Sequence, residues 1–98
     1  MIKLNWKKGE KMLDAMNEHG GYKKVPAYYL DCDEVKYFDV NTSFIEDGGF
    51  YLSERYGVAF QSIDDCKSYI INKIREEIYK KINEYTELLE SLKDENIG

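Results

Sequence analysis

Along residues 62–92 the apolar side chains return with the period of an α-helix. Ile63, Cys66, Ile70, Ile74, Ile78, Ile82, Tyr85, Leu89 and Leu92 are spaced on average by about 3.6 residues. Ser62 supplies an N-cap oxygen, and Asp64 and Asp65 place negative charge at the positive end of the helix dipole. On the polar side Glu76 precedes Lys80 and Glu77 precedes Lys81 in the favourable i,i+4 order. Such a helix is roughly 46 Å long at about 1.5 Å per residue. A globule built from the remaining residues is only about 27 Å across, so about half the helix overhangs, from near Tyr79 onward. The overhang keeps a 4,3,4,3 apolar spacing through Ile78, Ile82, Tyr85, Leu89 and Leu92. Two arrangements cover it: a break near Asn83 that folds the helix back on its own domain, or an intermolecular contact, either a dimer seam or the groove of a partner. The dimer seam is the expected one and predicts a homodimer through a short antiparallel contact, because Tyr85 fits a tight two-stranded coil poorly.

Upstream, Asn5 as N-cap with Trp6, Gly9, Met12, Leu13 and Met16 predicts a first helix over residues 6–18, stopped by Gly20 and Gly21 with His19 in its last turn. Residues 22–60 change period. Aromatic and β-branched runs at 24–30, 34–40, 50–54 and 57–60 alternate with turn formers, predicting an antiparallel meander of three or four strands. The turns are Asp31-Cys32-Asp33, Asn41-Thr42-Ser43 and Asp47-Gly48-Gly49, with Phe44 and Ile45 extending a strand or plugging a loop. Pro26 places the first strand at a sheet edge. The expected fold is a single α+β domain over 1–98: helix, sheet, long helix.

Composition narrows the chemistry. The 98 residues include nine tyrosines, and the net charge is −5. That charge is partitioned along the chain, with +3 over residues 1–24, −7 over 25–65 and −1 over 66–98. An acidic middle repels nucleic acid and attracts a basic protein surface. No membrane span is expected, and the start of the chain has no secretory leader pattern, which points to the cytoplasm. Cys32 and Cys66 lack C-x-x-C spacing and are expected as free thiols.

Catalytic motifs do not hold up. Asp31, Asp33 and Glu34 open like a calcium loop, but Val35 and Lys36 stand where an oxygen ligand and a glycine are needed. Gly48-Gly49 lacks the rest of a phosphate loop. With one histidine and no nucleophile elbow, a hydrolase has no specific support. No metal or cofactor is expected, and the chain reads as a non-enzyme. Tyr28, Tyr29, Tyr37 and Phe38 would make a base-stacking platform, yet in an acidic field rather than a basic one.

What remains is an acidic, tyrosine-rich surface of Tyr28, Asp31, Asp33, Glu34, Tyr37, Asp39, Glu46 and Asp47, which presents carboxylates beside rings much as a nucleic acid presents phosphates beside bases. A short acidic chain rich in lysine over arginine, carrying these residues on a small sheet closed by a long helix, resembles small phage and prophage accessory proteins of the anti-CRISPR type. The resemblance implies an inhibitor or adaptor in a bacterial host cell that blocks the basic nucleic-acid site of a defence enzyme such as a CRISPR effector. The alternative is a small-molecule or nucleotide-signal sponge, with a pocket between sheet and helices lined by Tyr28, Tyr37 and Arg55.

Overall fold

The computed structural model describes residues 2–14 and 21–95. Five strands precede one helix: β1 (Asn5–Asp14), β2 (Tyr22–Asp31), β3 (Ser43–Asp47), β4 (Phe50–Ser53), β5 (Val58–Phe60) and α1 (Ile63–Glu95). The strands form one antiparallel meander in the order β1-β2-β3-β4-β5. The chain is therefore α+β, with its principal helix where the apolar period puts it.

Two elements differ from expectation. The first helix is absent over residues 6–14, which form β1; residues 15–18, His19 and Gly20 lie outside the described residues. The apolar spacing there is too sparse to bury a helical face, and Gly9 would cost about 1 kcal/mol in a helix interior. A partner ten residues long decides the matter, since every residue of β1 pairs with β2, from Asn5↔Asp31 to Asp14↔Tyr22. The second difference lies in residues 34–40, which form no strand. Asp33–Val35 is a 3-10 turn, α1 excluded the only other helical element described, and it is continued by Lys36 N–H to Asp33 O and Phe38 N–H to Val35 O. Val35 is buried while Tyr37, two residues on, is 90% exposed. A strand would have put both on one face. The meander thus has five strands because β1 and β3 enter it and residues 34–40 leave it.

Pro26 is not on an edge strand, for β2 lies between β1 and β3. The β2–β3 ladder nevertheless stops at Ala27↔Ile45, next to the residue that lacks a donor. Gly48 and Gly49, both at positive φ, close β3 onto β4 as a two-residue hairpin in which Asp47 pairs with Phe50.

The register puts Trp6, Leu30, Tyr28, Phe44, Tyr51 and Phe60 on one face, and α1 covers it with Cys66, Ile70 and Ile74. Phe44 is the hub, stacked on Tyr28 at 4.9 Å and edge-on to Trp6 at 5.7 Å. On the other face Val25 and Ile45 are buried too. Three strand spacings, about 14 Å, would separate β1 from β4 in a flat sheet. Lys11 on β1 still pairs with Glu54 after β4, so the sheet coils strongly toward that face.

Helix α1 is continuous over 33 residues and does not fold back at Asn83. Ser62 caps it, with Oγ accepting from Asp65 N–H at 3.4 Å. The expected Glu76–Lys80 and Glu77–Lys81 pairs give way to i,i+3 pairs, Lys73–Glu76, Lys81–Glu84 and Lys93–Glu90, each at 3.3 Å. The protein measures 71 × 31 × 20 Å, and from Ile82 onward every described residue of α1 is exposed. No described helix is long and apolar enough to cross a membrane. Both cysteines are free and buried.

Candidate protein-binding surfaces

The acidic residues are held by β2, the turn after it, and the β3–β4 hairpin. At the end of β2, Cys32 turns inward, so Asp31 and Asp33 on either side of it face solvent. Val35 pins the 3-10 turn into the core and leaves Glu34 and Tyr37 exposed. Lys36 Nζ donates to Asp33 Oδ1 at 2.7 Å and holds that carboxyl below its ordinary range. The Cys32 thiol donates to Glu34 Oε2 at 3.2 Å. Asp39, a few residues on, is bound by Arg55 at 2.6 Å, and this hydrogen bond likewise lowers its pKa. Arg55 in turn lies over the ring of Tyr56.

Glu46 and Asp47 sit elsewhere. From the Tyr29↔Ser43 pair, Asp31 lies two residues toward one end of the sheet and Asp47 four residues toward the other. At about 3.3 Å per residue they are roughly 20 Å apart along the strands. Tyr28 belongs with Glu46: its hydroxyl donates to Glu46 Oε1 at 2.9 Å, and its pKa is raised, by burial first and by this bond second. Asp47 is paired with Lys23 at 2.8 Å. The eight residues therefore divide. Asp31, Asp33, Glu34 and Tyr37 share one end, Asp39 lies between the following loop and Arg55, and Tyr28, Glu46 and Asp47 occupy the opposite end.

Lysines of the β1–β2 hairpin and of the loops neutralise much of the acid. Among the described residues, Asp31 and Glu34 form no ion pair, whereas Asp33, Asp39 and Asp47 each do. Nor are Tyr28, Tyr37 and Arg55 gathered into a pocket: Tyr28 stacks on Phe44, Arg55 is tied to Asp39, and Tyr37 stands in solvent. No three described His, Cys, Asp or Glu side chains converge as a metal site requires.

A second surface is apolar. Ile78 packs at the edge of the core, and beyond it Ile82, Tyr85, Leu88, Leu89 and Leu92 are 52–62% exposed. At about 100° per residue these side chains lie on the helix face that carries Ile71, Ile74 and Ile78 nearer the sheet. There the face opens into a groove of about 310 Å³, walled by Ile71, Ile74, Arg75 and Ile78 on one side and Ile2, Leu4, Val35 and Phe38 on the other, with Cys32 and Glu34 also lining it. Leu88, Ile2 and Leu4 were not among the expected contact residues. Leu88 follows Tyr85 by three and could have been found by widening the stripe, but Ile2 and Leu4 form too short a run to carry a signal in sequence.

No family model matches this chain, and no curated protein or solved structure is significantly similar to it.

Proposed function

We propose that this protein is a non-enzymatic inhibitor or adaptor that binds a protein with a basic, nucleic-acid-handling surface, in the manner of phage anti-defence proteins. The observation that carries the reading is the end of β2. Asp31 and Glu34 present carboxylates without a paired cation among the described residues, beside a tyrosine, Tyr37, that is 90% exposed on a turn anchored by buried Val35. A rigid turn offering charge and a ring together loses little conformational freedom on binding, which is the condition under which a small patch gains affinity. The contact surface is narrower than the eight-residue set: Glu46 and Asp47 are satisfied by Tyr28 and Lys23 at the far end.

The test is affinity capture from a bacterial lysate with the wild-type chain and with Asp31→Lys combined with Glu34→Lys, followed by assay of whether the captured protein still binds its nucleic acid. The wild type should block that binding, steeply less so between low and high salt, and the double variant should lose it. Equal capture by the double variant, or a captured protein that binds nucleic acid unhindered, would overturn the reading. Glu46→Gln with Asp47→Asn serves as the control and should leave capture intact.

A further inference from the structure

The charge along α1 is as uneven as its exposure. Residues 66–81, which lie over the sheet and groove, carry five bases and two acids, whereas residues 82–95, the overhang, carry one base and five acids. The apolar stripe runs through both halves without interruption. A parallel pairing of two such helices sets like charge on like along their whole length, while an antiparallel pairing sets the acidic tip of each copy on the basic middle of the other. Antiparallel helix dipoles oppose each other favourably as well.

We infer that α1 docks antiparallel on α1 of a second copy, and that the tip of each helix fills the apolar groove of the other. The stripe fixes the register. A two-fold axis midway between Asn83 and Glu84 brings Ile82 opposite Tyr85 of the second copy and Ile78 opposite its Leu89. Leu92 of the second copy then lies over Arg75, within the groove bounded by Leu4 and Phe38. The groove, at about 310 Å³, has room for the two leucine side chains that this register delivers. A half-exposed Leu or Ile leaves roughly 100 Å² open, and Tyr85 somewhat more. The stripe together with Ile2 and Leu4 therefore offers on the order of 700 Å² per copy, and the pair clears the ~1,000 Å² that a specific interface needs. Docking also holds the tip helical, since residues 82–95 alone would be a marginal helix in water.

The arrangement predicts a shape as well as a mass. The helix from Ile63 to Glu95 spans about 48 Å, which leaves about 23 Å of the 71 Å molecule for the sheet end. Antiparallel pairing about residue 83.5 separates the two Ile63 residues by about 62 Å, giving a dimer about 108 Å long, whereas a parallel dimer would keep close to the 71 Å of one chain.

Sedimentation equilibrium and small-angle X-ray scattering on the full chain test this. A dimer with a maximum dimension of about 108 Å supports the inference. Leu89→Asp with Leu92→Asp should raise its dissociation constant at least ~100-fold, and Arg75→Glu should raise it about tenfold. Leu4→Asp reads the groove itself, and Leu4 is exposed enough for the monomer to keep its circular dichroism spectrum. A wild type that stays monomeric at 100 µM overturns the inference, leaving the stripe to another partner. So does a dimer no longer than the single chain, or one indifferent to Leu4→Asp. Glu34 lines the groove but Asp31 does not, so Asp31→Lys alone should weaken capture yet dimerise normally, which separates failure here from failure of the inhibitor reading.

Discussion

The same substitution at two points of one helix measures where folding ends and the overhang begins. Ile70 is fully buried against the sheet, and Ile82, twelve residues further along the helix, is 52% exposed. Removing three methyl-scale groups at Ile70 loses their transfer energy and leaves a cavity bounded by a sheet that cannot follow, so Ile70→Ala should cost about 2–5 kcal/mol. For a domain of this size, each kcal/mol is worth about 4–8 °C in Tm, and the shift should be at least ~8 °C. Ile82→Ala removes a side chain already half in water. Its small transfer loss is offset by the better helix propensity of alanine, about 0.4 kcal/mol, so the net change should stay within about 0.5 kcal/mol when the chain is dilute enough to be monomeric. Urea titration followed by circular dichroism at 222 nm, at sub-micromolar protein, gives both values with a check on the m-value. Equal costs at the two positions would refute the reasoning, because they would mean that the distal half of α1 is packed against its own domain. Repeated at high concentration, Ile82→Ala should begin to cost stability, since association adds to the apparent stability of the wild type by mass action.

Three further outcomes are expected. Gly49, at φ 83° with nothing within 4 Å of a built Cβ, should tolerate Gly49→Ala sterically yet lose about 1–2 kcal/mol to backbone strain, measured by the same titration; an unchanged urea midpoint would contradict the two-residue hairpin. Ser53 is buried, and its hydroxyl has no hydrogen-bond partner among the described residues, so Ser53→Ala should be neutral or stabilise by up to ~1 kcal/mol, and a clear loss would reveal a hidden partner. Burial pushes the Cys66 thiol up from 9.0 to about 11, so the folded state holds its proton more tightly than the unfolded chain. That preference is fully present below pH 9 and is lost as pH rises toward 11, which predicts a decline in stability across this window and slow thiol labelling below it; rapid labelling of native protein at pH 8 would contradict the burial.

The sequence by itself determined α1, its Ser62 cap and its overhang, because a helix makes its own hydrogen bonds and its length follows from residue count alone. It likewise determined β2, β4 and β5, and the Asp47-Gly48-Gly49 hairpin, whose positive φ angles glycine supplies without help from elsewhere. Strand β1 was not legible, because what makes residues 5–14 extended is a ladder to Tyr22–Asp31, and the partner of a strand is nowhere recorded in its local period. The same holds in reverse for residues 34–40. They have strand-like composition, but β2 finds β3 instead, and Val35 is left to plug the core from a turn. The acidic surface shows the limit most directly. Charge counts placed Asp31, Asp33, Glu34, Asp39, Glu46 and Asp47 in one stretch of chain, yet the antiparallel register carries Asp31 and Asp47 to opposite ends of the sheet, and an arginine and a lysine distant in sequence, Arg55 and Lys23, pair with Asp39 and Asp47. Which carboxylates stay free is a property of tertiary contacts, since an ion pair depends on distance in space and sequence order supplies that distance only within a helix or a tight turn.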